Sequence, residues 1–215
     1  MKILNMNQFN EKMKIIPLSD EDFKNIPDDL YKYHPETKEE LKFIIFERIE
    51  KEGYECNLND IDTSKITDMS ELFENMYDFN GDISKWNVSK VENMDCMFYN
   101  AESFNGDISG WNVSNVKCMN HMFSGAESFN GDISGWDVSN VNDMNGMFNG
   151  ARMFNCNISE WDVSNVEEMR FMFNTAKAFN QDISGWDVRN VKHHDSFDRL
   201  SSLYNSPDKQ PKFNI

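Results

Sequence analysis

The chain has 215 residues, with 21 Lys and Arg against 37 Asp and Glu, and a formal net charge of −16. So acidic a chain repels a phosphate backbone, which disfavours nucleic-acid binding, and no apolar run is long enough to span a membrane. No glycine-rich phosphate loop, H-E-x-x-H or G-x-S-x-G is present, so the chain is read as not an enzyme and no cofactor is implied.

In chain order, residues 1–35 form an N-terminal arm carrying Pro17, Pro27 and the acidic run Asp20, Glu21, Asp22. It is expected to be loosely helical and docked on a capping helix. Charges at Lys2, Glu11, Lys12, Lys14 and Asp20 interrupt the segment from Met1 to Phe23. No stretch there serves as the apolar core of a secretion signal, and the expectation is a cytoplasmic protein. Residues 36–56 read as the capping helix. Thr37 and Glu40 form a capping box, and Leu41, Ile44, Ile45, Arg48 and Ile49 mark the buried face of a helix running to about Glu52. It is expected to cover the open end of the next element.

That element is a repeat. All five tryptophans, Trp86, Trp111, Trp136, Trp161 and Trp186, recur with a 25-residue period. A period of this size marks a solenoid in which each unit buries its apolar side against the next. Six units fit residues 57–206, the first and last atypical as caps, followed by a tail over 207–215. Two columns hold nine of the 14 Met and two others ten of the 17 Phe, which assigns these residues to the core. Within a unit, Ile83, Trp86, Val88 and Val91 have the L-x-x-L-x-L spacing of a leucine-rich repeat, and predict a short strand. Val91, Met94, Met97, Phe98 and Ala101 then fall at helical spacing. Ser89 with Glu92, and Ser164 with Glu167, look like capping boxes for a short helix of poor intrinsic propensity. Phe-Asn-Gly-Asp turns the chain back, and the column Asn80, Asn105, Asn130, Asn155, Asn180 and Asn205 is expected to bond backbone from unit to unit. The predicted fold class is α/β: an LRR-like solenoid of about six strand-plus-short-helix units with an N-terminal helical cap.

Three groups could carry chemistry or contacts. Asp137, Asp162 and Asp187 share a column with Asp62, Asn87 and Asn112. Stacked carboxylates about 4.8 Å apart repel one another and would accept Ca²⁺. No acidic triad recurs within one unit, and a solvated column outweighs that reading. Subtracting the period sets Cys96 beside His121, with Cys118 three residues before the same His, a partial Zn²⁺ ligand set with no second pair to complete it. Cys56 and Cys156, four units apart in one column, cannot bridge. Free thiols suit a reducing compartment. The outward residues of the helical segment vary between units, and Tyr99, Arg170 and Phe171 are the candidate partner contacts.

The run FNGDISGWDVSNV, followed by M-x-x-M-F-x-x-A-x-x-FN, resembles the repeat of the BspA-like leucine-rich-repeat bacterial surface proteins. Tyr33 to Leu41 and Asn59 to Lys65 resemble the lead-in of such proteins. The resemblance implies an α/β solenoid, a role in binding or adhesion and a cell-surface location, and it carries no catalytic residues. The combined expectation is a non-enzymatic, monomeric protein-binding or adhesion module with an unidentified protein partner. The alternatives are a structural spacer or envelope component, or a Ca-binding acidic solenoid.

Overall fold

A computed structural model describes residues 31–213, so most of the expected N-terminal arm lies outside the described residues. Among them, one α-helix, α1, spans Lys38–Glu52. Its start follows from the capping residues: Thr37 is extended, and its Oγ1 accepts the Glu40 N–H at 3.2 Å. The Glu40 carboxylate reaches back one residue further than a capping box requires, to the Glu36 N–H at 2.8 Å. The helix ends at Gly53, whose φ of 88° suits only a residue without Cβ, and whose N–H bonds the Ile49 carbonyl. Leu41, Ile45 and Ile49 are buried in the same core as Leu58, Ile61 and Ile66. Lys38 reaches Asp68 and Ser70, and Lys42 the Glu71 carbonyl, so the helix lies along the first repeat unit. Arg48 is buried too. Its guanidinium is held by Glu52, both Asp60 oxygens and the Asn57 carbonyl, at 2.7 to 2.9 Å.

The 25-residue units stack in register, but their conformation overturns the predicted fold class. Among the described residues the repeats contain neither the strand nor the helix of a leucine-rich repeat. Among the described residues, extended pairing is limited to single-residue parallel bridges: Tyr33 to Ile61, Asn57 to Asp82, and a series running Asp68 to Asn93, Cys118, Asp143, Glu168 and His193. The reason is local. Ile83 and Trp86 close one turn (Trp86 N to Ile83 O, 3.1 Å), and Val88 and Val91 close another (2.9 Å). The spacing that imitates a leucine-rich repeat therefore comes from consecutive turns. Asx residues fix them: the Asn87 side chain accepts the Ser89 N–H, and Asp162 that of Ser164, so these serines cap no helix.

The segment predicted as helix is also a run of turns. Met97, Tyr99 and Ala101 donate to Met94, Cys96 and Phe98, three residues back. The alternate N–H groups, of Met94, Cys96, Phe98 and Asn100, leave the unit and reach the carbonyls of Cys118, Asn120, Met122 and Ser124 at 2.7 to 3.0 Å. Two residues per unit, four apart, have positive φ. One column runs Glu71, Cys96, His121, Gly146, Phe171, Ser196 and the other Asn75, Asn100, Gly125, Gly150, Thr175, Leu200. A left-handed residue every fourth position cannot belong to an α-helix; it is the third residue of a type II turn.

The core columns are where the repeat places them. Trp86, Trp111, Trp136 and Trp161 are each 4% exposed, and each indole N–H donates to the carbonyl 28 residues earlier, as Trp136 does to Ile108 at 3.2 Å. Paired Phe rings stack within a unit, Phe98 on Phe104 at 4.0 Å, and between units, Phe98 on Phe123 at 5.4 Å. The Asn ladder runs from Asn80 to Asn180, each side chain accepting the N–H of the next Asn at 2.8 to 3.0 Å. It stops before Asn205, and Lys209 bonds Asn180 instead. In the last unit Phe197 supplies the ring that Asp198 lacks, meeting Phe173 edge-on, while Phe213 stacks on His194 at 4.1 Å.

Candidate functional site

The side of the stack formed by the turn ladder carries the variable residues. Cys96, His121 and Phe171, all at φ between 53° and 57°, belong to one left-handed column, in which Cys96 and His121 are half-buried and Phe171 is exposed. Phe171 is 43% exposed although aromatic. Beside it Arg170 is held by Glu168 and Asp195, both at 3.2 Å, and Glu168 also meets His193 Nδ1 at 2.6 Å. Glu168, His193 and Asp195 are not among the candidates that the sequence offers. Stepping one period sets His193 on Glu168 and Asp195 on Arg170, and that arithmetic is the signal that could have found them. Tyr99 is half-buried with its ring edge-on to His121 at 6.1 Å. It lies three rungs from Phe171, roughly 14 Å at strand spacing, so the three candidate contacts share a side of the molecule but not one patch.

Cys96, Cys118 and His121 lie on this same side but do not converge on a point that could hold a metal ion. Burial pushes the Cys96 thiol up to about 11, and burial with the neighbouring Asp95 pushes Cys118 up to about 12. Burial holds the His121 imidazole below its ordinary pKa, and its enclosed Nδ1 has no hydrogen-bond partner among the described residues. The ring fits because the next unit has Gly146 there: a Cβ at Gly146 would stand 2.3 Å from His121 Cε1. All four cysteines are free thiols.

The Asp137, Asp162 and Asp187 column lies on the exposed Asx turns. Asp137 accepts the Ser139 N–H and hydroxyl, Asp162 the Ser164 N–H, and Asp187 pairs with Arg189 at 2.6 Å. The Ser164 bonds lower the Asp162 pKa and the Arg189 bond that of Asp187. All three carboxylates are already engaged by their own turns. Among the described residues no three His, Cys, Asp or Glu side chains converge on a point that could hold a metal ion. An open cavity of about 340 Å³ lies between the last unit and the tail, lined by Trp186, Val188, Asp208 and Lys212 among others. No described helix is long and apolar enough to cross a membrane.

No curated protein and no solved structure matches the chain. Residues 44–155 and 131–211 match a repeat-containing family; together they span the stacked units, and they overlap over 131–155, one period. The chain belongs to the family described as Mycoplasma protein of unknown function, DUF285.

Proposed function

We propose that the chain is a non-enzymatic protein-binding module whose contact surface is the outward side of the turn ladder, centred on Phe171 and Arg170. The observation that carries this is Phe171 itself. A bulky residue in the left-handed region costs of order 1 kcal/mol or more, and here the strained residue points an aromatic ring into solvent, at φ 57° and 43% exposed. The rung bonds offset that strain in every unit, but packing among the described residues leaves this ring uncovered. A partner would bury it, and exposed aromatic and Arg side chains are the usual anchors of protein interfaces. The resemblance of the repeat to BspA-like surface proteins supports a binding or adhesion role. Capture of a partner from the host, followed by alanine substitution at Phe171, Arg170 and Tyr99, tests the reading. Loss of about 2 kcal/mol of affinity at Phe171 is expected, and unchanged capture by all three variants would refute it.

The second reading, a spacer, rests on the near-identity of the inner units. A spacer keeps its role when one 25-residue unit is removed. A binder that uses Phe171 and Tyr99 together loses affinity, because their separation changes by one rung.

A further inference from the structure

The end of the stack at the last unit differs from every boundary before it. Each inner unit sends four N–H groups to the carbonyls of its successor: Met169, Phe171, Phe173 and Thr175 donate to His193, Asp195, Phe197 and Arg199 at 2.6 to 3.0 Å. The equivalent donors of the last unit are the N–H groups of His194, Ser196, Asp198 and Leu200. None of the four has an acceptor on another residue among the described residues, and the Asp198 N–H meets only its own carboxyl. The tail covers the core of this end, with Phe213 over His194 and Phe197, and the Lys209 carbonyl accepting from the Ile183 N–H. It does not answer the row. A row of unpaired N–H groups is a template for another chain.

The charges around the row say what kind of chain. Residues 187–213 contain Arg189, Lys192, Arg199, Lys209 and Lys212 against Asp187, Asp195, Asp198 and Asp208, a net of +1 by count (5 − 4) in a chain of −16. Across the inner boundaries, ionic partners occupy the same column one rung apart, as in Glu92 with Lys117, Glu167 with Lys192 and Glu168 with His193. Lys192 and His193 are engaged in this way from the inner side, whereas a further rung would set its eighth ladder residue against Arg199, which has no ion-pair partner among the described residues.

We propose that residues 194–200 form a docking edge for an acidic segment of a partner protein, which adds a seventh rung by offering four carbonyls at alternate residues and a carboxylate to Arg199. This goes beyond the lateral surface around Phe171, uses none of its residues, and fails or stands independently of it.

The test is amide hydrogen exchange on the full chain, with and without a synthetic peptide of residues 66–77. That peptide carries the ladder pattern with Asp68, Glu71 and Glu74. In the intact chain the same segment is held by Lys38 and Lys42 of α1. In the free chain, the amides of His194, Ser196, Asp198 and Leu200 should exchange rapidly while those of Met169, Phe171, Phe173 and Thr175 are protected. Saturating peptide should slow the four end amides roughly tenfold or more. Arg199→Glu, an exposed change, should weaken the peptide roughly tenfold, as should Lys in place of the three peptide acids. The proposal is overturned by end amides already protected in the free chain, by no added protection at millimolar peptide, or by equal protection from the charge-reversed peptide. Protection that appears on concentrating the chain alone would also overturn it, because the occupant would then be a second copy.

Discussion

At the scale of single residues, the tryptophan column combines two terms that substitution can separate. Trp136 fills space between units and also satisfies the Ile108 carbonyl through its indole N–H at 3.2 Å. Trp136→Phe keeps most of the ring but removes one of the two donors to the Ile108 carbonyl, which still accepts the Trp111 N–H at 3.2 Å, and should cost about 0.5 to 1.5 kcal/mol. Trp136→Ala removes both and should cost about 3 to 5 kcal/mol. Urea titration distinguishes them, and equal midpoints for the two variants would mean that the hydrogen bond contributes nothing. A second residue-scale effect depends on pH. Burial holds the Asp143 carboxyl above the ordinary carboxylate range, with Asp95 and Glu168 adding to the shift. A carboxyl whose folded pKa is raised favours folding while protonated, and that contribution is lost as pH rises through the folded value. Asp143→Asn, which matches Asn93 in the same column and can still accept the Asn145 N–H, should therefore stabilise the chain at pH 7. The gain should shrink towards pH 3, where the wild-type carboxyl is itself neutral. A gain that grows on acidification would contradict the burial argument.

At the scale of elements, the helix α1 was legible because its signals are local: a Thr side chain caps the N–H three residues on, and the buried face repeats at helical spacing. Thr37→Ala should cost about 1 kcal/mol, readable as a fall in thermal midpoint. The repeat columns were legible for another reason, since a 25-residue period fixes which side chains stack whatever the backbone does between them. The backbone itself was not. Apolar residues at i, i+3 and i+4 mark one face of a helix, but turns closed by bonds three residues long bury the same positions, and the two cannot be told apart by spacing. The distinguishing residues are in the two left-handed columns. Gly125, Gly146, Gly150, Asn75 and Asn100 announce them, and Cys96, His121 and Phe171 disguise them. Of the candidate contacts, exposure at Phe171 was readable from its variable column, whereas the neutralisation of Arg170 by Glu168 and Asp195 required the stacked register. Thr175 is the most strained of these residues, a β-branched side chain at φ 58°. Thr175→Asn places a residue that tolerates this region where Asn75 and Asn100 already stand. It should raise stability by about 0.5 to 1 kcal/mol, and a loss of that size would show that the hydroxyl has a role in packing.

At the scale of the whole molecule, stability should be a sum of unit terms and boundary terms, because each unit bonds only its neighbours. Removing residues 132–156 deletes one period and joins Gly131 to Asn157, so every column closes on its own kind. Phe123 then meets Phe173 in place of Phe148, and the Trp161 indole finds the Ile108 carbonyl where it had that of Ile133. The shortened chain has lost one unit and one boundary, and nothing else. It should fold with one cooperative transition and a urea m-value lower by roughly the fraction of surface that one unit buries. Removing residues 132–143 alone takes out about half a period and shifts every later side chain out of its column. The Phe and Met columns would then face turn residues, and the four inter-unit bonds at that boundary would lose their acceptors. That variant should unfold beyond the cut while the units before it, held by α1, keep their exchange protection. If the two deletions were equally stable, the 25-residue register would not be what holds the stack together.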